Sequence, residues 1–330
     1  MGAALRSWGT VALKLTLTVG LFWLLARTID VAAVWQRMQT AQQSWLWLAV
    51  AVFGCQLFVL ALRLVAIVRA DGAALSLWTS VRATMLCHSA TQVLPSVIGA
   101  DAVRIWVLAE GGAQPIDSLR RVASDRLIGF LGLTLTVMIA APLGTAHLLS
   151  ITPAQSWLVV AGFIVLLAGG VACGFGAAHR PSFLRRGWIS KLLDLVEQVW
   201  VGVARMAKAW RLAALALGLS MLSVLLYATV FLLLARALSL SLDPLFVLFL
   251  IPITTLIMAA PVTISGWGVR EAVLVTGLGF VGIAAPQALA ASVLFGLVPL
   301  FYGLLGLPFI LLQPQWRRQL APMAPKSARA

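Results

Sequence analysis

Two apolar stretches of this chain carry charged residues in a similar setting. The first, LPSVIGADAVRIWVLAEGG, covers 94–112 and contains Asp101 and Arg104. The second, APVTISGWGVREAVLVTGLG, begins at residue 260 and contains Arg270 and Glu271. A lone charge at the centre of a membrane helix costs about 2.5–3.5 kcal/mol on insertion scales. In apolar surroundings such charges are expected to pair, to face water or to bind a ligand.

Proline and glycine place these charges near predicted helix starts. Pro95 and Pro261 disfavour helix at the residue before them. Gly99, Gly266 and Gly268 permit unusual backbone dihedral angles and are candidate hinges. Each stretch then continues with good helix formers, which predicts a broken helix whose second part begins shortly before an arginine. Free N–H groups and the positive end of a helix dipole beside a guanidinium favour anions, phosphate above all.

Six charged residues are the candidates for substrate binding: Asp101, Arg104, Asp125, Arg126, Arg270 and Glu271. Asp101 and Arg104 lie three positions apart and therefore share one face of a helix. Arg270 and Glu271 are adjacent, so we expect them to point to different partners.

Asp125 and Arg126 lie at a predicted helix start on the cytoplasmic side. A structural alternative remains for all three pairs, namely a salt bridge inside the membrane that fixes helix packing. His88 is interpreted as a hydrogen-bonded core histidine. Lys14 and Arg63 can snorkel or pair, and no function is assigned to them.

The composition identifies a polytopic membrane protein. The 330 residues are 62% hydrophobic and 10% charged, with a mean hydropathy of +1.01, whereas a soluble domain has about 25% charged residues. The net charge of +14 is explained by cationic loops that orient the chain and meet anionic lipid headgroups. No aromatic-interleaved basic module or Cys/His finger supports nucleic-acid binding.

Apolar length predicts the membrane spans, and Lys/Arg bias orients them. The predicted spans are 10–27, 44–68, 125–146, 156–178, 211–236 and 286–312. The basic segment 179–211 is expected in the cytoplasm and 147–155 outside, which places both termini in the cytoplasm of a multi-pass protein of the plasma (inner) membrane.

The predicted organisation is a single transmembrane domain, 1–312, followed by a basic cytoplasmic tail, 313–330. Its first half runs to about 178 and its second from about 211 to 312. Between them lies the linker 179–211, whose apolar periodicity predicts an amphipathic helix on the cytoplasmic membrane surface.

Two regions, 78–124 and 244–285, must return the chain to the side that it left. Each is therefore a hairpin, either re-entrant or crossing twice, and the fold class is an all-α membrane bundle with two broken-helix hairpins. A shift of 166 residues superimposes Arg104 on Arg270, and the two hairpins enter from opposite faces. This pattern is typical of inverted repeats in transporters, although convergence among apolar residues is an alternative.

Motifs for catalysis or cofactors are absent. The sequence has no GxxxxGK[ST], HExxH or GxSxG, and His88, His147 and His179 are scattered. We therefore predict no catalytic residue, no metal, no cofactor and no enzymatic activity.

Three segments together resemble the flippase-like membrane family, also called the lysylphosphatidylglycerol synthase transmembrane region. They are QVLPSVIGADAVRIWVL (92–108), SDRLIGFLGL (124–133) and PVTISGWGVREAVLV (261–275). The family pattern is LP-x-x-x-GGD-x-x-R, a DR pair, then P-x-x-x-GGxGxRE, and the resemblance spans nearly the whole chain. Ala100 and Ser265 each replace one glycine of a family GG pair, so extreme dihedral angles are expected to be less favoured there.

The resemblance implies translocation of a lipid or lipid-linked headgroup between leaflets. Arg104 and Arg270 would hold the phosphate, while Asp101 and Glu271 orient the arginines or meet a cationic headgroup. Arg126 with Asp125 would gather headgroups at the cytoplasmic entrance. The expected partner is an anionic or lipid-linked substrate in the bilayer, and homo-oligomers are left open. Some relatives add an aminoacyl transferase domain, which this 330-residue sequence is not expected to supply.

The alternative is an intramembrane transferase, or an accessory subunit, in glycolipid or aminoacyl-lipid biosynthesis. Asp101 or Glu271 would then act as a base.

Overall fold

The computed structural model describes residues 29–93, 97–110, 112–144, 188–258, 263 and 265–311, with the single residues 16, 20, 23, 27 and 162. In these ranges the chain forms ten α-helices and no strand, which confirms the predicted all-α fold. The helices are α1 Val31–Gln39, α2 Gln43–Ala70, α3 Leu77–Val93, α4 Val97–Glu110, α5 Pro115–Gly144, α6 Trp188–Lys208, α7 Trp210–Ala237, α8 Pro244–Met258, α9 Val269–Gly279 and α10 Ala285–Leu311.

Four of these helices, α2, α5, α7 and α10, are long and apolar enough to cross a membrane. They correspond to the predicted spans 44–68, 125–146, 211–236 and 286–312. Helix α5 begins at Pro115, ten residues before the predicted span, and proline is favoured at the first position of a helix. Arginines near its start pair with Asp71. The predicted spans 10–27 and 156–178 fall outside the described residues, apart from single positions, as does the tail 313–330.

Each predicted hairpin region contains two short helices, α3 with α4 and α8 with α9, and the members of each pair pack together. Helix α4 has 14 residues and α9 has 11. At about 1.5 Å per residue they are roughly 21 and 17 Å long, shorter than the hydrocarbon core of about 30 Å. The first hairpin ends at Glu110, so it is shorter than the predicted 78–124.

The order of helix lengths repeats. A long helix, two short helices and a long helix occur in α2–α5 and again in α7–α10. Helices α2 and α7 begin at residues 43 and 210, and α3 and α8 begin at 77 and 244, so both shifts are 167 residues. The packing repeats as well, since α3 packs against α10 and its counterpart α8 packs against α5. The two halves are therefore built on one plan.

The two repeats run in opposite directions. Near one end of the α2–α7 pair, the Gln42 N–H donates to the Ala237 carbonyl at 2.9 Å. Further along, Gln56 Nε2 donates to Ser223 Oγ at 3.4 Å. Residue numbers rise along α2 as they fall along α7, so the equivalent helices are antiparallel. This is the geometry of an inverted repeat, in agreement with the interpretation of the sequence.

The ends of the two hairpins meet between the repeats. Ser265 Oγ, in the loop before α9, donates to the Thr91 carbonyl near the end of α3 at 2.7 Å. One turn earlier on α3, His88 Nε2 lies 2.9 Å from the Pro299 carbonyl of α10. His88 is thus hydrogen-bonded, as predicted.

Small residues permit close packing between the repeats. Gly132 of α5 faces Ser220 of α7, and a Cβ at Gly132 would lie 2.4 Å from Ser220 Cβ and 3.3 Å from the Met221 backbone nitrogen. Because backbone atoms limit any adjustment, the two helices must separate to accept even one methyl group.

We expect Gly132→Ala to destabilise the bundle by about 1–3 kcal/mol, the usual effect of overpacking, and to lower the apparent melting temperature in detergent. Gly218→Ala on α7 is the matched control, because a Cβ there meets nothing within 4 Å and alanine is the better helix former. Equal melting temperatures for the two variants would contradict this packing.

Candidate functional site

Asp125 lies at the centre of a buried ion-pair network. It stands ten residues into α5 and is 0% exposed. Arg63 of α2 donates from Nε to Oδ1 at 2.8 Å and from Nη2 to Oδ2 at 2.9 Å. Arg104 of α4 donates from Nη1 to Oδ2 at 2.7 Å. One carboxylate therefore joins three helices and faces two guanidinium groups.

A glycine on α5 makes room for this network. Gly129 follows Asp125 by one turn, and a Cβ there would lie 3.1 Å from Arg63 Nη1. The same Nη1 donates to Ser220 Oγ of α7 at 3.2 Å. Arg63 thus connects the network of the first repeat to the second repeat.

Arg126 points away from Asp125 and pairs with Asp101 of α4. Its Nη2 lies 2.6 Å from Asp101 Oδ1, and its Nε lies 3.0 Å from Oδ2. The Arg126 side chain is 42% exposed and that of Asp101 is 20% exposed. This pair is the open side of the network, whereas Arg104 is only 5% exposed.

These contacts change two expectations. Asp101 and Arg104 share α4 but do not pair with each other, because each finds its partner on α5. Asp125 was expected with Arg126 at an open entrance, yet it is fully buried since adjacent residues on a helix point in different directions. Arg63, to which the sequence assigned no function, belongs to the network. The sequence position of Arg63 could have indicated this role, because an arginine seven residues from the end of a long apolar helix needs a partner.

Arg270 and Glu271 form a second buried pair, in the second repeat. Arg270 donates to Glu271 Oε1 from Nε at 3.0 Å and from Nη2 at 2.5 Å. The Gly268 N–H donates to Oε2 at 2.6 Å, and Ser292 Oγ of α10 lies 3.3 Å from Oε1. The prediction that the two residues point to different partners was wrong, because Glu271 bends back over the start of α9, where it also meets the guanidinium.

The loop before α9 has the unusual backbone predicted from its glycines. Gly266 and Gly268 have φ of 74° and 87°. Ser265 has φ of 52°, although its replacement of glycine was expected to disfavour such an angle, and its hydrogen bond to Thr91 holds it there. Gly99 differs, since it lies within helix α4.

The two proline hinges, Pro95 and Pro261, lie outside the described residues.

The Arg104–Asp125 and Arg270–Glu271 pairs occupy equivalent places, but their carboxylates stand on different helices. Arg104 and Arg270 are 166 residues apart, and Asp125 and Ser292 are 167 apart. In the first repeat the acceptor carboxylate stands on the long helix α5, whereas in the second it stands on α9 beside its arginine. The second pair is therefore formed within one helix and has no second arginine on its carboxylate among the described residues.

The first repeat carries an excess positive charge. Five charged residues of this repeat form what we call the central cluster: Arg63, Asp101, Arg104, Asp125 and Arg126. Three arginines and two aspartates leave one net positive charge. The Nε of Arg104 is buried without a hydrogen-bond partner among the described residues, and Arg126 and Asp101 are close enough to act on it electrostatically. Since an uncompensated buried charge is costly, this arrangement suits one anion.

A separate cluster lies at the end of α2. Asp71 accepts hydrogen bonds from Arg120 and Arg121 of α5 and from Arg205 of α6. Burial by itself raises the pKa of Asp71, but the hydrogen bonds from these three arginines outweigh it and hold the pKa below its usual value. Helix α6, Trp188–Lys208, lies within the predicted linker 179–211, and a Cβ at Gly202 would lie 3.2 Å from Arg120 Cγ.

We expect the attachment of α6 to be lost at low pH. Because the pKa of Asp71 is lowered in the folded protein, its contribution is present at neutral pH and is lost as the pH falls below about 4. Spin labels at the exposed positions 74 and 204 should give one narrow distance distribution at pH 6–8 that broadens below about pH 4. Asp71→Asn should broaden it at every pH, and an unchanged distribution in that variant would contradict the role of Asp71.

Among the described residues, no group of His, Cys, Asp and Glu is arranged to hold a metal ion. The acidic residues of both buried networks bind arginines instead.

Comparison with known proteins gives one family. The family model described as "Lysylphosphatidylglycerol synthase TM region" matches residues 11–306. No curated protein matches the chain.

Proposed function

Because the chain belongs to the lysylphosphatidylglycerol synthase transmembrane region family, we propose that it moves an anionic lipid, or a lipid-linked headgroup, between the leaflets of a membrane. Family membership and four helices long enough to span make it a membrane protein with a lipid-related role. The proposal adds transport, without covalent chemistry and either energy-independent or coupled to a gradient.

The observation that carries the proposal is the excess positive charge of the central cluster. Moving a phosphate through hydrocarbon is opposed by the loss of its hydration. The buried Arg104 guanidinium, whose Nε has no hydrogen-bond partner in the described part of the chain, replaces part of that hydration. The partly exposed pair of Arg126 and Asp101 is the proposed point of entry, while the acyl chains remain in the bilayer.

Arg104 and Arg270, which were both expected to hold the phosphate, have unequal roles in this proposal. Arg104 lies beside an excess charge and has a buried donor with no partner within the ranges that the structure describes, so it is the proposed phosphate ligand. Arg270 is neutralised by Glu271, and a substrate would first have to break that pair. Its proposed role is to hold the start of α9 in place.

No observation favours a transferase. The two residues proposed as its base, Asp101 and Glu271, are each paired with an arginine.

A reconstituted-vesicle assay with a fluorescent anionic lipid tests transport. Arg104→Gln should lower the translocation rate about tenfold or more, because it removes the free donor and the excess charge together. Arg236→Gln is the matched control, since Arg236 is exposed at the end of α7, over the Trp45 ring, and its loss should leave the rate near that of the wild type. Equal rates for wild type and Arg104→Gln would refute the role of Arg104.

We also propose that the protein lies in the plasma membrane with both termini in the cytoplasm. The antiparallel pairing of α2 and α7 supports opposite sides for the loops that follow these two helices.

A membrane-impermeant maleimide should therefore label Ser241→Cys in intact cells, but Ala74→Cys only after permeabilisation, both in a cysteine-free background. Labelling of both positions from one side would contradict the inverted arrangement. Exchange of the two patterns would reverse the proposed orientation.

A further inference from the structure

The central cluster holds one positive charge more than its acidic residues neutralise. The ion pairs Arg82–Glu110, which joins α3 to α4, and Arg270–Glu271 are each neutral, so neither offsets it. A ligand with one negative charge restores neutrality in the bilayer. A doubly charged ligand leaves one negative charge, and a zwitterion leaves the positive charge in place.

We propose that this single excess charge selects the headgroup, so that the central cluster prefers a lipid phosphodiester of net charge −1 over a zwitterionic phosphodiester or a phosphomonoester of charge −2. The inference rests on the proposed function and names the substrate class of that same site.

Arg63 is the residue that creates the excess. Without it, two arginines and two aspartates would balance, as Arg270 and Glu271 do in the second repeat. Each of its three nitrogens donates one hydrogen bond within the protein, Nε and Nη2 to Asp125 and Nη1 to Ser220. Arg63 therefore determines specificity through charge, without touching the headgroup, while Arg104 Nε is the donor of the central cluster that is buried without a hydrogen-bond partner among the described residues.

Calorimetric titration of the purified full chain in a non-ionic detergent tests this inference. Three short-chain probes share the diacylglycerol and differ in headgroup charge. Phosphatidylglycerol carries one negative charge, phosphatidylcholine is a zwitterion, and phosphatidic acid carries two negative charges at about pH 8. We expect the wild type to bind phosphatidylglycerol about tenfold or more tightly than either of the others.

The variants change the charge at different positions. Arg63→Gln and Arg126→Gln both give a neutral cluster and should lose the preference for phosphatidylglycerol over phosphatidylcholine. Asp101→Asn and Asp125→Asn both give a charge of +2 and should shift the preference to phosphatidic acid. Asp101 is partly exposed, so its variant tests this charge even if Asp125→Asn does not fold.

Two further variants separate charge from structure. The double variant Arg63→Gln with Asp125→Asn returns the cluster to +1 and should regain the preference for phosphatidylglycerol, and Arg63→Lys should retain it. A variant that only misfolds should weaken the binding of all three probes together, whereas a change of charge should shift the preference from one probe to another. An unchanged order of affinities across all charge classes would overturn the inference.

The two proposals fail in different ways. If the protein transports lipid in vesicles but the charge variants leave the order of affinities unchanged, this inference is overturned and the proposed function stands. Charge-dependent affinities without any transport support the lipid site and overturn the proposed function.

Discussion

The burial of one carboxylate determines how the first repeat is assembled. Asp125 is withdrawn from solvent completely, and a buried charge is tolerated only with close partners of opposite sign. Those partners come from two other helices, since Arg63 stands on α2 and Arg104 on α4. The short helix α4 is too short to span a bilayer, so its position depends on such contacts with its neighbours. The Asp125 network therefore fixes both the hairpin and the guanidinium groups that give the site its charge.

The inverted repeat supplies a common frame in which the two halves differ chemically. Arg104 and Arg270 are equivalent, but their carboxylates come from different helices. Glu271 closes its pair within α9 and also accepts the Gly268 N–H, so the second pair needs only a weak contact to Ser292 of α10. In the first repeat, the added Arg63 leaves an excess charge. Symmetry of backbone thus coexists with asymmetry of charge, and the asymmetry makes one half the better place for an anion.

The cluster around Asp71 is separate from the central cluster. Asp71 lies eight residues beyond Arg63 on the chain, about 12 Å along a helix, and gathers arginines from α5 and α6. It attaches the linker helix to the helices that also hold the central cluster. Family membership indicates a lipid-related role, and a lipid substrate needs both a place for its phosphate and a path to the surface. In the proposed transport, that path begins at the partly exposed Arg126–Asp101 pair.

The sequence by itself determined the membrane class, the four long helices within the described residues, the two broken hairpins and the arginine positions, because apolar length and proline–glycine breaks are local properties. Most of the charges of the site were also recognisable, since a charge in an apolar stretch needs an explanation. Only the tertiary structure decided their partners. Asp101 pairs with Arg126 rather than Arg104, Arg63 joins Asp125, and Glu271 bends back onto Arg270, because ion pairing depends on which side chains other helices bring within about 3 Å, a distance that spacing along one helix does not contain.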